Sequence, residues 1–179
     1  MSESQSHSVL PKSAMMKIIP VCFEPWGSSP WYPSAPPTDR SIQAIESALK
    51  IKLPPLLIEI AASFTSYGGW FGSIGEDFDS KNHIMSINKA FREEGLTPNF
   101  VLFNHGHDGE CDGWELDATQ DAGELPIVWL TLGTWDTKIM ARRVVAQTFA
   151  EYMDDFVRTH APKEVKAFLA GRTSTANKE

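Results

Sequence analysis

Lysine and arginine are missing from residues 93–137. The same interval carries Glu93, Glu94, Asp108, Glu110, Asp112, Glu115, Asp117, Asp121, Glu124 and Asp136, within a chain of net charge −7. Such a stretch repels nucleic acid and steers towards basic partners. Cysteine is scarce too: Cys22 and Cys111 are the only two, far apart in sequence. That excludes a disulfide framework and suits a reducing compartment, so the cytoplasm is expected. No apolar run approaches the roughly 18 residues that a bilayer span needs. The first dozen residues are polar and hold no basic segment followed by an apolar one, so a secretory signal is not expected.

Catalytic signatures are equally sparse. A nucleophile elbow of the form Gly-x-Ser-x-Gly is missing, as are a phosphate loop ending in Lys-Ser/Thr and a dinucleotide fingerprint. Gly68-Gly69-Trp70-Phe71-Gly72 has the glycines of such a fingerprint but leads into a strand. One loop invites chemistry: between Asn104 and Gly113 stand His105, His107, Asp108, Glu110, Cys111 and Asp112, all metal-ligand types. His-x-His in a loop matches no zinc signature, however, and no second ligand cluster accompanies it. Its three glycines fit a tight turn between strands better. The residues therefore imply no catalytic group, no cofactor and no metal, although a metal-dependent enzyme built on His105, His107 and Asp108 stands as a third possibility.

What the chain does have is amphipathic periodicity. Ile42, Ile45 and Leu49 form one apolar stripe, with Thr38 or Asp39 as the helix cap. Pro54 and Pro55 end that helix and suit the first turn of another. Leu56, Ile60 and Phe64 then recur every four residues, beside Leu57 and Ala61, up to the stop at Gly68-Gly69. Strands are expected at 70–74, 83–85, 100–103, 114–117 and 126–132, with a short helix capped by Ser86 and stopped by Gly95. Val145, Phe149, Tyr152 and Phe156 mark a longer helix, and a last short one follows Pro162. Trp129, inside an apolar run, is read as core, while Trp70 and Trp114 could serve core or partner contact.

Three segments result. Residues 1–37 read as an extended segment rich in Pro and Trp, the first dozen without fixed structure; 38–160 form the domain; 161–179 are a short helix and a polar tail. The order helix, helix, short strands, helix implies an α+β fold, with helices flanking a mostly antiparallel sheet.

The sequence resembles the SUKH superfamily, which includes a fungal cell-wall assembly regulator and many bacterial toxin-immunity proteins. The match rests on Ile42, Ile45, Glu46 and Leu49 leading into Leu53-Pro54; on Phe64 before Gly68-Gly69; on His107-Asp108-Gly109 followed by Leu116-Asp117; and on 126–128 followed by the helix around Phe149. Tyr67 stands where the family usually has Asn before Gly-Gly. The resemblance covers about residues 38–160 and leaves the N-terminal segment outside. It implies a twisted antiparallel sheet flanked by helices, and a cytoplasmic immunity protein that neutralises a cognate toxin by non-catalytic binding. A regulatory or scaffolding module is the alternative, with neither nucleic acid nor membrane as partner. On charge and aromatic content, Glu110, Asp112, Trp114, Asp121, Glu124 and Trp135 are the expected partner contacts, facing a basic toxin domain such as a nuclease.

Overall fold

The computed structural model describes residues 8–23, 35–64, 71–106, 109–116, 125–133, 138–167 and 169. Its contacts divide the chain into two compact units, residues 1–27 with 150–179, and residues 28–149.

The larger unit holds a four-stranded antiparallel sheet, β1 (Phe100–His105), β2 (Glu110–Glu115), β3 (Ile127–Leu132) and β4 (Ile139–Ala146), in sequential order. Three helices accompany it: α2 (Asp39–Leu49), α3 (Pro55–Ser63) and α4 (Ile84–Glu93). Helices and an open antiparallel sheet make the fold α+β, as expected. Thr38 caps α2: its side chain accepts from Ser41 N at 3.1 Å, and Thr38 N donates to Ser41 Oγ at 3.0 Å. Ser41, fully buried, also donates to Ile74 O at 2.8 Å, tying the helix start to the loop before α4. Glu46, a residue of the family pattern, accepts from Leu53 N at 3.0 Å and pairs with Lys52. The carboxylate thereby holds the turn that Pro54 and Pro55 begin, and α3 starts with Pro55 at its first position.

One face of the sheet packs under α4. Ile87 and Leu96 close over Phe100, Leu102, Cys111, Val128, Leu130 and Leu132. Asn88 fixes the distance between helix and strand. Its amide donates to Ile84 O and Leu102 O and accepts from Leu102 N, all within 2.7–2.8 Å. These bonds satisfy both backbone groups of Leu102, where the β1–β2 register shifts.

Several expectations need correction. α4 begins at Ile84 with His83 as its cap, not Ser86, so 83–85 is no strand. Residues 71 and 73 make only isolated bridges. β2 starts at Glu110, earlier than the expected 114. Val145 belongs to β4, a strand the periodicity did not announce, and the following helix α5 (Phe149–His160) starts only at Phe149.

In the smaller unit, residues expected to be extended form α1 (Lys12–Phe23), with Pro20 inside it. Met15, Ile19 and Cys22 fall at i, i+4 and i+7 and are buried, so an apolar stripe outweighs the proline. Asp154 of α5, only 8% exposed, accepts from Leu10 N at 3.0 Å and from Arg158 Nε at 2.8 Å. Arg158 in turn donates to Ser8 O at 3.3 Å, so residues 8–10 are held against α5. A helical turn over 163–167 follows Pro162. Cys22 and Cys111 are both buried and form no disulfide.

Candidate protein-interaction face

The second face of the sheet is covered at one end and open at the other. Strand register shows how. Residues directly paired in an antiparallel ladder point to the same side, so Trp114 with Ile127, Asp112 with Trp129, and Glu110 with Thr131 share this face. At the covered end Trp114 is 2% exposed and Ile127 is fully buried. The Trp114 ring lies 4.6 Å from that of Phe103, and Phe149 sits 5.7 Å from Phe103 and 6.3 Å from Trp114. Phe71 adds a further ring, 5.9 Å from both Phe103 and Phe149. The register shift between Leu102 and Asn104 lets Phe103 and Asn104 both project to this side.

Beyond that cluster the same face carries polar and half-buried residues. Asn104, Asp112, Trp129 and Arg143 stand side by side across all four strands. Asn104 Nδ2 donates to Asp112 Oδ2 at 3.1 Å. The guanidinium of Arg143 lies over the Trp129 ring, 5.5 Å from its centroid. The next row holds Glu110, Thr131 and Ala141, with Glu110 and Ala141 exposed. Tryptophan and arginine are the residue types enriched at interface hot spots.

β4 is an edge of the sheet and its residues 140–144 are all exposed, Met140 at 68% and Val144 at 39%. It also alters the charge pattern that the sequence suggests. Arg142 points to the α4 side and pairs with Glu115, its Nε donating to Glu115 Oε1 at 3.2 Å. Arg143 comes up beside Asp112 through Trp129. Pairing of strands therefore inserts two arginines into a region that is purely acidic in sequence.

The residues expected to contact a partner separate accordingly. Glu110 and Asp112 lie on the open end of the face. Trp114 lies in the core: its indole fills the space between Phe103 and Phe149 and presents no contact surface. Asp121, Glu124 and Trp135, like Trp70, His107 and Asp108, fall outside the described residues. Trp129, read as core, is instead half-buried under Arg143. Asn104, Trp129 and Arg143 escaped the sequence reading. The signal for them was parity: Thr131, two residues after Trp129 in an apolar run, marks the polar side of the strand.

The stretch that invited metal chemistry joins β1 to β2, and its His107 and Asp108 lie outside the described residues. Gly109 has φ +75°, and its carbonyl accepts from Leu132 N at 2.9 Å. Cys111 turns to the α4 side, where burial first, then Asp112 and Glu110, push its thiol up to about 12. A thiol held protonated is a poor nucleophile and a poor metal ligand at neutral pH. Among the described residues no group of three or more His, Cys, Asp or Glu side chains could hold a metal ion.

The matching family model is SMI1/KNR4 (SUKH-1), over residues 36–155. The chain belongs to this family, and membership supports a protein-interaction or immunity-type role in general. No curated protein matches the chain. No helix among the described residues is long and apolar enough to cross a membrane.

Proposed function

We propose that the protein is a cytoplasmic immunity protein that neutralises a cognate toxin by direct, non-catalytic binding through the open end of its sheet. The observation that carries this reading is the row Asn104, Asp112, Trp129 and Arg143, side by side across the four strands, with Arg143 exposed and the other three half-buried. A ring already stacked by arginine is preorganised, so little side-chain freedom is lost on binding. Glu110 and Asp112 supply negative charge to meet basic groups of the toxin, and Arg143 supplies a positive group for its acidic rim.

The mixed charge favours a second reading, a regulatory or scaffolding module. With Arg143 set beside Trp129 and Asp112, the face is less suited to plugging a uniformly basic cleft and fits a partner of mixed charge.

Capture of partners from the source cell, using the full chain as bait, separates the two. One dominant partner, lethal when expressed alone and tolerated with this protein, supports immunity. Several partners that are harmless alone support the regulatory module and count against toxin neutralisation.

A further inference from the structure

The two edges of the sheet are finished differently. At β1 the Asn88 amide takes both the N–H and the C=O of Leu102, and Phe103 O accepts from Gly72 N at 2.7 Å. At β4, among the described residues, no backbone bond reaches Ile139–Ala146 except from β3. Five consecutive residues, 140–144, are exposed there. A bare edge of this kind is a template for one more strand. The β3–β4 register shifts at both ends, between Ile127 and Val128 and between Thr131 and Leu132. Ala141–Val144, in regular pairing between the two shifts, is therefore the stretch able to accept a partner.

We infer that β4 receives an extended segment of another protein as a fifth strand, acidic on one side and apolar on the other. Charge selects the acidic side. Residues 137–150 hold Lys138, Arg142 and Arg143 and no acidic residue, in a chain of net charge −7. Arg142 is already paired with Glu115. Exposed Arg143, on the side of the open face, is the group that meets an incoming carboxylate, and small Ala141 beside it leaves room. On the α4 side Val144, 39% exposed, offers an apolar neighbour. Cross-strand neighbours point to the same side, so the segment alternates acidic and apolar residues. A second copy of this chain fits less well. A two-fold axis that keeps each face of the sheet continuous uses this stretch most fully when centred on Arg142 or Arg143. Either choice sets an arginine directly against its own copy, which is destabilising. Charge on an edge strand is a device against such self-pairing. The inference concerns the edge of the sheet and does not depend on what occupies its face.

The test uses the full chain and three probes: acetyl-Val-Glu-Val-Glu-Val-amide, the same peptide N-methylated throughout, and acetyl-Val-Lys-Val-Lys-Val-amide. Binding is followed by amide chemical shifts, and strand addition by slowed hydrogen exchange within Ala141–Val144. The acidic peptide should bind at least about fivefold more tightly than the lysine peptide and slow that exchange. The N-methylated form, which cannot complete the ladder, should do neither. Arg143→Glu, a change at an exposed position, should reverse the preference between the two charged peptides. Equal binding of the N-methylated peptide would overturn strand addition, and no shifts at millimolar acidic peptide would overturn the edge as a docking place. Equal binding of the lysine peptide would overturn an acidic partner. Protection of the same amides that rises with protein concentration, without peptide, would assign the edge to a second copy instead.

Discussion

Arg143 sits over Trp129, its guanidinium carbon 5.5 Å from the ring centroid, and the two are paired directly across β3 and β4. Because Arg143 is exposed, the contact contributes little to stability, at most about 1 kcal/mol. Its value lies in presenting the ring. Arg143→Ala should therefore leave the urea midpoint nearly unchanged yet weaken a captured partner at least about tenfold, as measured by calorimetry. Trp129→Ala should weaken it further. Unchanged affinity in both variants would rule the open face out as the contact.

Asn88→Ala is expected to be among the most damaging single substitutions in α4. It strands Leu102 N–H and C=O in the interior, where each unsatisfied group costs about 1–3 kcal/mol. A loss of about 2–4 kcal/mol in urea denaturation is the expected result. Asn88→Asp keeps the acceptor for Leu102 N but loses both donors, and should fall at the upper end of that range or beyond. A loss under about 1 kcal/mol for Asn88→Ala would show that these bonds are not limiting.

His83 makes stability depend on pH. It is fully buried, accepts from Met85 N at 3.2 Å, and its other ring nitrogen lies 3.1 Å from Gly75 O. The neutral ring serves both bonds, with Nδ1 accepting and Nε2–H donating. Burial lowers its pKa below the ordinary 6.5, against the opposing pull of the Gly75 carbonyl and Asp77. Above pH 6.5 the imidazole is neutral whether folded or not. Below it the unfolded chain takes a proton that the folded chain resists, so stability falls as pH drops, by up to about 1.4 kcal/mol per unit. His160 is shifted the same way, by burial and then Lys166, against Asp155. Comparing the stability lost between pH 7.5 and 5.5 in His83→Gln, His160→Gln and the parent protein assigns each share. His83→Gln should lose measurably less than the parent; an identical loss would exclude His83 as the source.

Gly109→Ala should destabilise by about 1–3 kcal/mol, judged by thermal denaturation. The position has φ +75°, and an added Cβ would come within 2.6 Å of Leu132 O. Gly106→Ala is the control: an added carbon there meets Glu110 O at 3.3 Å, without a left-handed backbone. Equal effects at the two glycines would contradict a special role for Gly109 in the turn.

The sequence made α2 and α3 readable because cap, stripe and proline all agree over 38–64. β1 and β3 were visible as short apolar runs, β1 buried on both sides over Phe100–Phe103 and β3 on both sides only at Ile127 and Val128. β4 was not, since Ile-Met-Ala-Arg-Arg-Val-Val-Ala alternates in neither period; an edge strand exposed over 140–144 has no buried side to enforce a pattern. α1 was hidden by Pro20, whose lost hydrogen bond is outweighed by Met15, Ile19 and Cys22. His83 was missed as a cap because imidazole is not among the usual capping groups. The candidate site was half legible. Glu110 and Asp112 announced themselves by charge, whereas Trp114 and Trp129 exchanged the roles expected of them. Only the pairing of Trp114 with Ile127 and of Asp112 with Trp129 decides which indole reaches water.

That pairing has an evolutionary consequence. On β2 and β3, residues that hold the fold together alternate with residues that meet the outside. Drift at Asp112, Trp129, Thr131 and Arg143 can therefore retarget the surface without disturbing Leu102, Cys111, Val128 or Leu130 beneath it. Changes to the side chains on that face are confined to alternate codons of three short strands.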